Sequence, residues 1–120
     1  MAKSYKGDTN MAIKIEGTTI TMTRGDTLKL YVIPQYEDGS EYEPNENDTI
    51  RFAMKRRYED TKVLLIKKVP TESFLLHLEP NDTKELKFGH YVYDIQLTHE
   101  NGDVDTYIDK GELILSEEVD

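Results

Sequence analysis

The chain contains no cysteine. A disulfide framework and thiolate chemistry are therefore excluded, and a reducing compartment suits it. No run approaches the roughly 18 apolar residues that a membrane span needs. Met1 to Ile15, MAKSYKGDTNMAIKI, lacks the apolar stretch of a secretory signal. Also missing are internal repeats, low-complexity segments, linkers, and any helical periodicity beyond a turn or two. There is no nucleophile elbow and no phosphate-cradling glycine loop, and the three histidines have no ligand spacing. The expectation is a soluble chain with no catalytic residue, no cofactor, no metal and no small-molecule substrate. Its 120 residues fit a single domain.

What the chain does have is charge. The net value is −9, which repels nucleic acid and membrane surfaces on average. Neither is expected as a partner. The charge is unevenly spread. Gln35 to Asp48 carries acids and no base, and Glu100 to Asp120 carries acids against the single base Lys110. Between them, Asp48 to Lys68 is basic through Arg51, Lys55, Arg56, Arg57, Lys62, Lys67 and Lys68. Such runs serve as solvated faces or as complementary contact surfaces.

Two-residue alternation is the other signal. Tyr91, Tyr93, Ile95 and Leu97 alternate with Val92, Asp94, Gln96 and Thr98. Asn101-Gly102 follows, a hairpin signal because both residues tolerate positive φ. Val104, Thr106 and Ile108 then form one face, and Leu113 and Leu115 are out of phase with it. A bulge at Asp109-Lys110-Gly111 repairs the phase. Earlier faces are Ile20/Met22, Leu28/Leu30/Val32, Ile50/Phe52/Met54 and Phe74/Leu76/Leu78. One helical turn fits near Pro80 to Thr83, capped by Asn81 or Asp82 and ending near Lys87-Phe88, with Gly89 as its exit. About seven strands at this spacing predict an all-β, immunoglobulin-like antiparallel β-sandwich over residues 18–120, preceded by an arm or leader at 1–17. The predicted core is Ile20, Met22, Leu28, Leu30, Val32, Ile50, Phe52, Met54, Leu76, Leu78, Tyr91, Tyr93, Ile95, Leu97, Leu113 and Leu115.

Smaller motifs reduce to local structure. Arg24-Gly25-Asp26 spells an adhesion tripeptide, yet Gly-Asp between alternating runs is explained as a turn. His77, His90 and His99 read as solvated. Asp103, Asp105 and Asp109 lack the closing glutamate of a calcium loop. Lys55-Arg56-Arg57 has only Tyr58 as an aromatic companion, too little for a nucleic-acid stacking platform. The eight tyrosines are scattered, and strand propensity enriches them without any ligand.

Arg24-Gly25-Asp26, the strand Leu86-x-x-Gly89-x-Tyr91-x-Tyr93-Asp94 and the closing Gly111-x-Leu113-x-Leu115 together resemble small phage and prophage structural proteins. Over about Thr18 to Val119 the chain is similar in outline to the N-terminal immunoglobulin-like domain of baseplate upper proteins of phages of Gram-positive bacteria. The resemblance implies a virion component or adaptor, cytoplasmic when synthesised in the bacterial host and part of the virion once assembled. It implies contacts with other phage structural proteins, including copies of itself. It also puts Tyr91 in the place of the immunoglobulin corner tyrosine and Tyr93 in that of the second cysteine. The candidate contact residues are Tyr5, Met11 and Ile13 of the arm, the basic Arg51, Lys55 and Arg57, and the acidic Glu112, Glu117 and Glu118. The other class open to such a chain is a stand-alone module for carbohydrate or a host surface protein. That function needs a compact exposed aromatic platform.

Overall fold

In the computed structural model, residues 15–16, 18–36 and 38–117 are described. They fold as β1 (Ile15–Glu16), β2 (Thr19–Thr23), β3 (Leu28–Tyr31), β4 (Thr49–Lys55), β5 (Leu65–Val69), β6 (Leu75–Leu78), α1 (Pro80–Thr83), β7 (Gly89–Thr98) and β8 (Val104–Ser116). The described residues are all-β, with one helical turn between β6 and β7. The larger sheet is curled and runs β1-β8-β7-β4-β5, with β2 also on β8. β3 and β6 form a second, two-stranded sheet.

Alternation builds the core. In β4, Ile50, Phe52 and Met54 are buried and their neighbours are not; in β7 the same holds for Tyr91, Tyr93, Ile95 and Leu97. These strands pair antiparallel, with Phe52 opposite Ile95 and Met54 opposite Tyr93. β3 and β6 contribute through Leu28↔Leu78 and Leu30↔Leu76. Leu76 and Leu78 are fully buried, whereas Leu28 and Leu30 pack on the core from a half-buried position. Each fully buried side chain of this kind contributes about 1.5–3 kcal/mol. Val69, Tyr42, Tyr107 and Ile108 join the core beyond the expected set.

Four expectations need correction. First, the larger sheet is mixed, because β1 and β2 both pair parallel to β8. Alternation fixes which face a side chain takes; it carries no information on a neighbour's direction. Second, β8 is irregular twice. Tyr93 sits opposite Gly111 and Ile95 opposite Ile108, so β8 holds an extra residue where a bulge was expected, with Lys110 in the left-handed region at φ 57. A second shift between Ile95↔Ile108 and Gln96↔Thr106 lets the adjacent Tyr107 and Ile108 both point inward. Val104, expected on their face, is 53% exposed.

Third, only Gly102 uses positive φ in the hairpin (φ 97). Its N–H donates to the His99 carbonyl at 2.8 Å, and the His99 N–H donates to the Asp103 carbonyl at 2.7 Å. The connection thus spans Glu100 to Gly102, a type I turn with glycine at the left-handed position. Fourth, the helical turn is capped by Glu79, with Pro80 at its first position; it ends at Thr83, well before Lys87. Asp82 serves as the third helical residue and accepts from the Glu79 N–H at 2.7 Å. Proline costs nothing at the first helical position, where the missing N–H would have no partner anyway. Gly89, at φ 122, opens β7 beside the Arg56 guanidinium.

Candidate functional site

The outer face of the larger sheet follows from parity. Because Phe52 and Met54 face the core, Arg51, Ala53 and Lys55 face out. Val92, Asp94 and Gln96 of β7 do the same, as do Ile66 and Lys68 of β5 and Glu112 of β8. Pairing places them in rows: Lys68–Arg51–Gln96–Thr106, then Ile66–Ala53–Asp94, then Lys55–Val92–Glu112. Three of the candidate contact residues, Arg51, Lys55 and Glu112, therefore share one face.

Each has work within its own chain. Arg51 Nη2 donates to Gln96 Oε1 at 2.6 Å, and Gln96 Nε2 passes the chain on to Thr106 Oγ1 at 3.2 Å. Arg51 Nη1 stands 3.7 Å from Asp94 Oδ1, an ion pair too long to be a hydrogen bond. That Asp94 oxygen is shielded from solvent and has no hydrogen-bond partner. Burial raises the Asp94 carboxyl above its ordinary range; Arg51 and Lys55 pull it down and Asp109 pushes it up. Lys55 Nζ closes the following loop on the carbonyls of Tyr58 (2.9 Å) and Asp60 (2.8 Å). Glu112 Oε2 meets His90 Nδ1 at 2.8 Å. Tyr58 is 51% exposed. Burial raises its phenol first, followed by the charges of Asp109, Asp94 and Glu112.

The remaining candidates are apart. Arg57 is exposed in the turn after β4 and Glu117 is exposed just past β8. Tyr5, Met11, Ile13 and Glu118 lie outside the described residues.

A second cluster escaped the sequence. Buried Tyr42 donates its hydroxyl to buried Asp48. The other side of that hydroxyl meets His99 Nδ1 at 3.4 Å, and His99 Nε2 meets Asp105 Oδ2 at 2.6 Å. Asp48 also accepts the N–H groups of Asn45 (2.8 Å) and Glu100 (3.0 Å). Burial, then the bond to Asp48, raises the Tyr42 phenol far above its usual range. His99 is thus half-buried in a network, not solvated. The network fastens the loop before β4 to the β7–β8 hairpin, a structural task.

The Arg24 turn is also occupied internally. Arg24 Nη1 donates to the Leu86 carbonyl at 3.1 Å and its guanidinium lies 4.2 Å above the Phe88 ring. The Gly25 N–H donates to the buried Thr83 hydroxyl at 2.9 Å. Most tyrosines with a described environment face inward: Tyr91 donates to the Lys87 carbonyl (2.6 Å) and Tyr107 to the Val32 carbonyl (2.7 Å). Among the described residues, the two strongly exposed tyrosines, Tyr31 and Tyr58, belong to different elements, β3 of the two-stranded sheet and the turn after β4.

Among the described residues, no group of three or more His, Cys, Asp or Glu side chains is arranged to hold a metal ion, and no helix is long and apolar enough to cross a membrane. No protein-family model and no curated protein matches the chain.

Proposed function

We propose that this chain is a structural or assembly protein of a phage or prophage particle, a baseplate- or particle-associated adaptor that acts through protein–protein contacts and not through catalysis. The observation that carries the reading is the outer face of the larger sheet, where basic side chains of β4 and β5 stand beside acidic ones of β7 and β8. Charge laid out in halves on one face of a sheet steers and orients a partner. The described cluster of Tyr42, His99 and Asp105 is taken up in fastening the loop before β4 to the β7–β8 hairpin.

The fold we read behind it is an immunoglobulin-like sandwich. In support, β3 and β6 form one sheet and β4, β5, β7 and β8 belong to another. Tyr91, at the start of β7, bonds back to the Lys87 carbonyl as a corner tyrosine does. The competing reading, a module for carbohydrate or a host surface protein, is less well supported because Tyr31 and Tyr58 do not form one platform.

Co-expression with the products of neighbouring genes, followed by native mass measurement, tests the proposal. A defined complex with a portal, capsid or tail protein supports it. Neighbours with no virion role, and a chain that joins none of their products, would sink it.

A further inference from the structure

We infer that the outer face of the larger sheet is self-complementary and pairs two copies of this chain about a two-fold axis. The inference deepens the assembly reading by naming one partner of that face as a second copy. Its basic half is Arg51, Lys55 and Lys68 on β4 and β5; its acidic half is Asp94, Asp109 and Glu112 on β7 and β8. The boundary between the halves runs along the strands, between β4 and β7, which are direct neighbours.

Symmetry then selects one arrangement. Two sheets meeting face to face about a two-fold must have the axis in the plane between them. An axis across the strands would set β4 on β4, with Arg51 of one copy toward Lys55 of the other. Like charges would meet and the pairing would be repelled. An axis along the strands, between β4 and β7, sets β4 on β7 and β5 on β8. Each basic half then lies over an acidic half, twice by symmetry, as an isologous contact requires.

One local feature suits this face to a partner. Ile66, 59% exposed in the row with Ala53 and Asp94, gives the polar face an apolar element. The size of the face sets the strength. Four strands at about 4.8 Å spacing and seven residues of about 3.3 Å each span roughly 19 by 23 Å. That is well under the ~800 Å² per partner of a standard stable interface. The dimer is therefore weak, reversible and sensitive to salt.

Sedimentation equilibrium on the full chain tests this at about 0.01 M and about 1 M salt, where the Debye length falls from about 30 Å to about 3 Å. The expected result is a dimer whose Kd rises at least about tenfold at high salt. Two variants probe the halves. Arg51→Glu with Lys68→Glu reverses the net sign of the basic half, leaving Lys55 as its remaining base; Asp94→Asn with Glu112→Lys neutralises the acidic half. Each alone should be monomeric at low salt, with a melting transition showing that it is folded. Mixed, they should form a heterodimer, since one intact basic half still meets one intact acidic half. If a variant fails to fold, carbodiimide coupling of the wild-type chain decides: inter-chain links from lysines of β4–β5 to acids of β7–β8 support the pairing, and their absence overturns it. A wild-type chain monomeric at low salt, or folded variants that dimerise like it, also overturns it. A monomer that still joins its virion neighbours on co-expression overturns the self-pairing alone and leaves the assembly reading standing.

Discussion

Tyr93 packs at the centre of β7 between Phe52 and Gly111. It is buried, its ring centroid is 5.2 Å from that of Phe52, and it lies flat on Gly111. A Cβ at that glycine would come within 2.4 Å of the ring. The pairing of a large ring with a residue that has no side chain is what lets β7 and β8 approach there. Burial pushes the Tyr93 phenol up to about 12. Tyr93→Ala should cost about 3–5 kcal/mol, part lost transfer energy and part cavity. Urea denaturation measures it, and an unchanged midpoint would contradict the packing. Asp94 behaves oppositely. Its carboxyl is raised chiefly by burial, against the pull of Arg51 and Lys55, so the folded chain holds that proton more tightly than the unfolded one. The neutral form's advantage is full below the unfolded pKa and is lost as pH rises through the raised folded pKa. At pH 7 the charged form carries the whole penalty. Asp94→Asn should therefore match or exceed the wild-type melting temperature at pH 7, with the difference shrinking toward pH 4. A variant that melts lower at pH 7 and equally at pH 4 would mean the Arg51 attraction outweighs burial.

Among the elements, the bulges of β8 decide what faces inward. Lys110 is an exposed lysine held at φ 57, a region that costs a side-chain-bearing residue about 1–2 kcal/mol. Lys110→Gly removes that strain and returns some of it as unfolded-state freedom. A net gain of up to about 1 kcal/mol in thermal or urea melts is expected. A loss would show that the lysine side chain holds the bulge. This bulge was legible in the sequence because Leu113 and Leu115 break phase with Ile108. The second was not: Tyr107 and Ile108 are both apolar, and adjacency alone does not say which one turns. β4 and β7 were legible because their alternation is unbroken. The start of α1 was misread because Asn81 and Asp82 are better caps by type than Glu79, although Pro80 marked the first helical position.

At the scale of the molecule, the sequence displayed opposite charge runs but not their arrangement. Arg51 and Glu112 belong to segments far apart in the chain, and only pairing through β7 puts them on one face. The Asp48–Tyr42–His99–Asp105 network was invisible for the same reason. Tyr42 and His99 are 57 positions apart, and Asp48 and Glu100 are 52 apart. Nothing local to Tyr42 marks it as buried, since it sits in an acidic, proline-containing loop that composition reads as solvated.

The parallel seam between β2 and β8 has a consequence for how the protein is made. Thr19 pairs with Glu112 and Met22 with Leu115, so an early strand has no partner until a late one has left the ribosome. At about 5–20 residues per second, that interval is on the order of 5 to 20 s. Throughout it, Ile20 and Met22 have no sheet edge to cover them. The nascent chain is therefore at its stickiest before β8 appears. Closing of the seam, a contact of long sequence separation, is the step that should limit its maturation.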